Sequence, residues 1–372
     1  MQKCHDQRRD VCACFIDYEK AFDRVLHSKL IEVLKECGVD GKDIRIIHNL
    51  YWKQVAEVRA GDIVTPKLSI QRGVRQGCLL SPLLFNLYAD RIFKEAVEDL
   101  DVGVRVNGER ITSIKYADDT VLLAESLEDL QLLLNRLSSA GQRAGLTINI
   151  MKTKWMVFSR SSHDDAALTL NGRRVERVRR FKYLGCLINE SMDPDMEVKC
   201  RIEKARSVFL KMRNLFCDKN LNFSLRWRMV KCYVWSVLLY GAEAWTLKAA
   251  TLSRIGAFEM WLLRRMFRIP WTAHISNEEV LQRAQVQRKL LVTVKCRKIA
   301  YLGHILRGEK YRLLQLIMKG KIEGRRGAGR RRLSWLNNLR KWTGIQRAEE
   351  LFRTAEDRDA LAAVIANVRL AG

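Results

Sequence analysis

Three aspartates, Asp17, Asp118 and Asp119, stand where phosphoryl-transfer chemistry could use them. Asp17 ends a short apolar run, Val11 to Ile16, that reads as a buried strand delivering a carboxylate at its C-terminal end. Asp118 and Asp119 follow Tyr116-Ala117 and lie between Ile111 to Lys115 and Thr120 to Ala124, which places them at the tip between two short strands. Carboxylates on neighbouring strand ends are hard oxygen ligands. They suit Mg²⁺ and leave coordination positions for substrate phosphates, as two-metal catalysis needs. A Tyr-x-Asp-Asp string alone is weak ground, since chance supplies one in roughly one of twenty chains this long and adjacent aspartates commonly just shape a turn.

The elements that must hold these groups are legible nearby. A helix is expected after Asp17, with Leu30, Ile31, Val33 and Leu34 as its apolar stripe as far as Gly38, and another begins through Ile44, Ile46, Ile47, Leu50 and Tyr51. Ser81-Pro82 reads as N-cap and first helical position of a helix through Leu83, Leu84, Leu87 and Tyr88. Asn107-Gly108 and Asn171-Gly172 have hairpin-turn chemistry, and Leu127 to Leu137 is amphipathic. Polar residues 159 to 166 read as a surface loop, and the glycine- and arginine-rich residues 324 to 332 as a flexible basic segment. From about residue 196 onward the pattern is helical.

With 48% hydrophobic and 29% charged residues, the 372-residue chain is globular material for two or three sub-domains. Its charge is uneven: residues 1 to 160 carry 24 basic and 22 acidic side chains, residues 161 to 372 carry 43 and 20. A surplus confined to one half implies a polyanionic partner, with nucleic acid first and an acidic membrane surface or a solvated basic face as the alternatives. Ten cysteines show no CxxC pair and no Cys/His cluster, which argues against a zinc site or a disulfide framework. The most apolar stretch, Val230 to Leu247, is interrupted by Lys231 and Glu243, so a soluble intracellular chain without a membrane span is expected.

Phe15-Ile16-Asp17-Tyr18-Glu19-Lys20-Ala21-Phe22-Asp23 resembles the first catalytic motif of non-LTR (LINE-type) retrotransposon reverse transcriptases. Four further segments keep the order and spacing: residues 73 to 85 resemble the second palm motif, Tyr116-Ala117-Asp118-Asp119 the metal-binding hairpin, residues 144 to 154 the fourth motif, and residues 181 to 185 the primer grip. Five motifs in register over residues 11 to 185 leave no room for coincidence.

The resemblance implies roles residue by residue. Asp17 and Asp118 would bind two Mg²⁺ ions, with Mn²⁺ as a substitute, Asp119 would assist, and the Tyr18 carbonyl would complete one site. Phe22 resembles the steric gate that crowds a ribonucleotide 2′-OH; a core phenylalanine is the alternative. Arg75, Gln76 and Gly77 would position the incoming nucleotide and template, and Tyr183, Leu184 and Gly185 would grip the primer. Lys152 is the match for the lysine that protonates departing pyrophosphate, with Lys154 close enough to compete. Asp23 is expected to cap the following helix; Asp10, Glu19 and Asp90 read as solvated or structural.

The implied fold is α+β: a right-hand palm of antiparallel sheet plus helices over residues 1 to 195, a helical thumb over 196 to 250, and a basic helical region over 251 to 372 that binds nucleic acid. Residues 295 to 342 hold 15 Lys/Arg interleaved with Tyr301, Tyr311, Trp335 and Trp342. Those aromatics are either stacking platforms for single-stranded nucleic acid or, for Trp335 and Trp342, the packed face of one helix. Only ten residues precede Val11, so the fingers, which precede the first catalytic strand in the family, are expected to be largely missing and turnover impaired. The implied activity is RNA-directed DNA polymerisation in nucleus or cytoplasm, with RNA template, DNA primer, dNTPs and other element-encoded domains as partners. The alternative is a non-catalytic nucleic-acid-binding remnant.

Overall fold

The apolar run at the start of the chain is the central strand of a six-stranded sheet. The structure is a computed structural model that describes residues 3–4, 7, 9–159, 167–322 and 334–371. The basic segment at 324 to 332 and all of the loop at 159 to 166 except Ser159 lie outside the described residues. The described chain forms two compact units, one centred on Met1–Leu184 and the other on Met192–Gly320.

In the first unit, β1 (Val11–Ile16) is followed by the helices α1 (His27–Glu36), α2 (Gly41–Tyr51) and α3 (Ser81–Val97), the strands β2 (Ser113–Tyr116) and β3 (Asp119–Ala124), and α4 (Leu127–Arg143). Strands β4 (Lys154–Phe158), β5 (Leu168–Leu170) and β6 (Arg173–Arg177) complete the sheet in the order β5-β6-β4-β1-β3-β2. β1 runs antiparallel to both neighbours, β3 and β4, while β4 and β6 are parallel. All six β1 residues are buried because both faces of the sheet are covered. Cys12, Cys14 and Ile16 join the core under the helices, and the alternation of side chains sends Ala13 and Phe15 to the other face. There Phe15 stacks on Phe181, centroids 4.5 Å apart.

The helices form where the apolar period demands. Leu130, Leu133, Leu134 and Leu137 line the buried face of α4, which packs on β1 and β3 and is capped by the Ser126 hydroxyl accepting from the Asp129 N–H at 3.0 Å. α3 departs from the expected cap. Ser81 is its first residue, and its hydroxyl donates to the Arg75 carbonyl at 2.6 Å, so the oxygen that would have capped the helix instead fastens the preceding loop. Both Asn-Gly turns fold as hairpins, with positive φ at each turn residue: 52° and 81° for Asn107-Gly108, 50° and 73° for Asn171-Gly172. Two small hairpins, Gln54–Ala56 with Leu68–Ile70 and Arg59–Ala60 with Ile63–Val64, had no expected counterpart.

The second unit is helical: α5 (Asp195–Lys211), α6 (Phe223–Val230), α7 (Ala249–Met266), α8 (Leu290–Arg307), α9 (Trp335–Thr343), α10 (Ala348–Glu356) and α11 (Arg358–Leu370) are its main elements. α7 crosses residue 250, and Ile255, Leu262 and Leu263 share one core with Val198, Phe209 and Trp235, so apolar packing continues through the thumb boundary expected there. Among the described residues no helix is long and apolar enough to cross a membrane.

Trp335 and Trp342 are half-buried and pack against a core beside a buried amine. Lys298 is fully buried on α8, and its ammonium nitrogen lies 5.1 Å from the centroid of each ring. It donates to the Trp245 carbonyl and to Asn338 Oδ1, and burial pushes its pKa down to about 7. Glu259 on α7 plays the complementary part: its Oε1 accepts from the N–H groups of Lys289 and Leu290 at 3.0 and 3.1 Å, supplying the cap that α8 lacks. Glu259→Ala is therefore expected to lower the melting temperature by about 2–6 °C, while Glu259→Gln, which keeps an acceptor oxygen, stays near the parent. A thermal melt in which alanine and glutamine variants behave alike would remove this role.

Candidate active site

Strand register brings the aspartates to one end of the sheet. Ile16 pairs with Thr120, so Asp17, one residue further along β1, is level with Asp119 at the start of β3. Tyr116 pairs with Asp119 across a two-residue turn of Ala117 and Asp118, in which Ala117 holds φ at 53°. A left-handed alanine costs backbone energy, and strain of that kind is stored at functional turns. Asp17 is fixed from the far side as well. Its N–H donates to the Thr153 hydroxyl at 3.2 Å and its carbonyl accepts from the Asn149 N–H at 2.8 Å. The Glu19 N–H donates to Thr147 at 2.9 Å. Tyr18, between these two bonds, pairs with Ile148 without bonding to it, which turns the Tyr18 carbonyl toward the β3 side.

Asp17 and Asp119 both feel the charge of Asp118. Burial first, and then the charge of Asp118, raises the pKa of Asp17, against the pull of Lys152; burial, Asp118 and Asp17 raise that of Asp119. Asp17 Oδ1 is out of solvent and has no hydrogen-bond partner. Among the described residues no group of three His, Cys, Asp or Glu side chains stands ready to hold a metal ion. Mg²⁺ does not require one, because it binds through one or two carboxylates and fills its shell with water and substrate phosphate. A carboxylate oxygen out of solvent and without a hydrogen bond, beside two further aspartates, fits a divalent cation.

Beside the carboxylates lies a loop that the backbone holds tightly. The Gly73 N–H donates to Val25 and the Val74 N–H to Phe22, each at 2.8 Å, and His27 Nε2 bonds the Gly73 carbonyl at 2.8 Å. Phe22 is half-buried, with one face stacked on Phe85 at 4.4 Å, so it belongs to the core rim while keeping an accessible edge. Gln76 Nε2 donates to Asp23 Oδ1 at 3.4 Å. Asp23 thus anchors Gln76 and caps no helix, contrary to expectation, because it sits inside the short turn Ala21–Arg24. Arg75 reaches back to the Leu50 carbonyl at 2.7 Å, and Gly77, with φ 83°, has open space on its Cβ side.

Lys152 Nζ stands 3.9 Å from Asp17 Oδ1, while Lys154 is tied to Glu176 at 2.7 Å. The Tyr183 hydroxyl donates to the Asp119 carbonyl at 3.4 Å, and its pKa is pushed up to about 12 by burial and by Asp119. Leu184 and Gly185, with φ 46° and 80°, turn the chain directly after it. Glu19 pairs with Arg24 at 2.8 Å, and Asp90 with Lys115 at 2.7 Å.

The profile of the reverse transcriptase (RNA-dependent DNA polymerase) family matches residues 1–188. The chain belongs to the reverse transcriptase family. It is 26% identical over 268 residues to the RNA-directed DNA polymerase from mobile element jockey of Drosophila funebris (70% of this chain, 28% of that protein). It is 29% identical over 248 residues to the putative uncharacterized transposon-derived protein F52C9.6 of Caenorhabditis elegans (64% and 87%). Over 189 residues it is 28% identical to the Pol polyprotein from type-1 retrotransposable element R2 of Popillia japonica (48% and 27%). Among solved structures, telomerase from Candida tropicalis is similar at 14% identity over 84% of this chain and 54% of that one, with a TM-score of 0.39. The jockey and R2 relatives make this a reverse transcriptase domain of the non-LTR type, and it spans 28% and 27% of their lengths.

Two residues of this reverse transcriptase domain escaped the sequence reading. Thr153, fully buried, holds the Asp17 backbone; its position between two lysines was the only signal. Tyr88 donates its hydroxyl hydrogen to the Ala144 carbonyl at 2.6 Å and accepts from the Leu26 N–H at 3.4 Å, joining α3 to the start of α1 and the end of α4 through one oxygen. Nothing in its spacing separates it from an ordinary core tyrosine.

Proposed function

We propose that the first unit is the palm of an RNA-directed DNA polymerase, which extends a DNA primer on an RNA template from dNTPs. The observation that carries this reading is the register placing Asp17 level with Asp119, beside a turn that presents Asp118. Asp17, Asp118 and the Tyr18 carbonyl would hold two Mg²⁺ ions, or Mn²⁺ in their place, with Asp119 assisting. Bound there, the ions would neutralise phosphate charge and make the primer 3′-OH nucleophilic. Lys152, exposed beside Asp17, is the residue able to give a proton to pyrophosphate as it leaves. Lys154 is occupied by Glu176. Arg75, Gln76 and Gly77 line the nucleotide side, and Tyr183, Leu184 and Gly185 the primer side. All ten cysteines are free thiols, in keeping with a reducing nuclear or cytoplasmic setting.

Primer extension on poly(rA)/oligo(dT) tests the reading. Mg²⁺-dependent product that disappears in Asp118→Ala is expected; a chain that binds the duplex and never extends it in Mg²⁺ or Mn²⁺ is instead the non-catalytic remnant. Phe22→Ala should lower the preference for dTTP over UTP by about 10- to 200-fold, the range that steric exclusion of a small group supplies. Unchanged discrimination with intact activity would return Phe22 to the core.

A further inference from the structure

Trp335 and Trp342, open to stacking or packing from the sequence, are half-buried and pack against a core, yet the second unit does expose a tryptophan elsewhere. Trp271 is 94% exposed, the most exposed of the nine in the chain. A tryptophan buries about 150–250 Å² when it packs, so leaving one in water forgoes a large contribution to folding. Trp271 follows Pro270 in the short turn Trp271–Ala273, and Arg264 on α7 holds the segment just beyond it, donating to the Ile275 carbonyl at 2.7 Å and to Asn277 Oδ1 at 3.0 Å. The ring is thus carried by a fastened turn.

Trp271 lines a cavity of about 670 Å³ together with Trp261 and Arg288. Arg288 also lines a second cavity, of about 510 Å³, with Lys289, Arg297 and Arg369. Each volume falls within the range of about 300–1,000 Å³ typical of ligand sites. Arg288 borders both, so the two cavities are neighbours on a trough lined by α7, the start of α8 and α11. No aspartate or glutamate among the described residues lines either part. Arg297 is paired with Glu243 at 2.8 Å, but Arg288, Lys289 and Arg369 enter none of the ion pairs found among the described residues. Glu259, whose charge reaches Arg288, is buried and spends its Oε1 on the start of α8. Three cations gathered with no ion-pair partner among the described residues, and only the buried Glu259 near one of them, call for an anion, and a fixed, solvated indole beside them calls for a flat apolar ring.

We propose that this trough is a binding site for single-stranded polynucleotide, separate from the palm: Trp271 stacks on an unpaired base, and Arg288, Lys289 and Arg369 take the adjoining phosphates. Stacking accepts any base and phosphate contacts accept any sequence, so recognition is of an unpaired strand and not of a motif. The site does not depend on the polymerase reading, because none of its residues belongs to the carboxylate cluster.

The test is fluorescence anisotropy of the full chain with a labelled mixed-sequence 20-mer, run as RNA and as DNA across a salt series. Trp271→Ala should weaken binding about 5- to 150-fold with an unchanged salt slope, and Trp271→Phe should restore most of it. The double variant Arg288→Ala/Arg369→Ala should reduce the slope of log affinity against log salt by up to about 1.4, at about 0.7 for each phosphate no longer neutralised. Asp118→Ala should leave trough binding as it is, which separates failure here from failure of the palm. RNA and DNA bound equally point to stacking and phosphate alone, and a preference for RNA adds a hydrogen bond to the 2′-OH; both support the site. Trp271→Ala and the double variant each binding within twofold of the parent would overturn the proposal. So would loss of binding to phosphatidylserine vesicles, rather than to the oligonucleotides, in the same variants. Equal melting temperatures guard against misfolding, since a side chain as exposed as Trp271 contributes little to the core.

Discussion

Asp118→Asn is expected to abolish Mg²⁺-dependent primer extension while slightly raising the melting temperature of the metal-free protein. The loss should reach at least about 10³-fold, about 4 kcal/mol of barrier, because in the proposed site Asp118 would help hold the ions in position as well as offset their charge. The gain has the opposite origin. Asp118 raises the pKa of both Asp17 and Asp119, adding to the effect of their burial. A carboxyl with a raised pKa binds more protons folded than unfolded, so stability falls as pH rises from the unfolded value through the folded one and stays lost above it. Removing the Asp118 charge should therefore help at pH 7 and do nothing near pH 3. For groups this well solvated the rise is small, about 1–2 °C. Mg²⁺ should stabilise the parent more than the variant. Extension that survives the substitution, or a melt that fails to rise at neutral pH, would contradict one half of the argument each.

Gly73→Ala should damage stability and rate together. At φ 96° an added Cβ would sit 3.0 Å from the Cα and carbonyl oxygen of Asp23, and the obstacle is backbone, which cannot rotate away. The strand of hydrogen bonds from Gly73 and Val74 to Val25 and Phe22 must open to admit it. A cost of about 2–4 kcal/mol follows from the strained φ and the broken bonds. Because the shift carries Phe22 and Gln76 with it, extension should fall by about 10²-fold in the protein that remains folded. Gly77→Ala is the informative contrast: φ is 83° but nothing lies within 4 Å of the new Cβ, so only the backbone strain applies. Equal effects at the two glycines would show that the close approach to Asp23 is unimportant.

What the chain announced in advance were features set by neighbours in sequence. The apolar run before Asp17, the Asn-Gly turns and the Asp-Asp tip are local patterns, and period and turn chemistry suffice to read them. What escaped depends on partners far along the chain. Ser81 looked like a cap until the Arg75 carbonyl claimed its hydroxyl, and Asp23 looked like one until Gln76 met it. Trp335 and Trp342 looked equally suited to stacking or packing, and the choice belongs to Lys298, 37 residues before the first of them. The cap on α8 comes from Glu259, and no rule of spacing connects it to Leu290. The catalytic motifs were readable because each packs its chemistry into a few consecutive residues. The scaffold that aligns them, Thr153 and Tyr88 included, had no such signature.

The order of strands in the sheet also bears on how the protein is made. β1 leaves the ribosome ahead of every other strand of its sheet, yet its two partners end at Ala124 and Phe158, so a strand with no polar side chain waits unpaired for nearly the whole first unit to be synthesised. At about 5–20 residues per second that interval lasts roughly 7–30 s, far longer than hydrophobic collapse. An apolar strand with both edges free until Ala124 has emerged, and one edge free until Phe158, is a template for other chains. Nascent polypeptides halted before Phe158 should therefore need a holding chaperone, and those released after it should not.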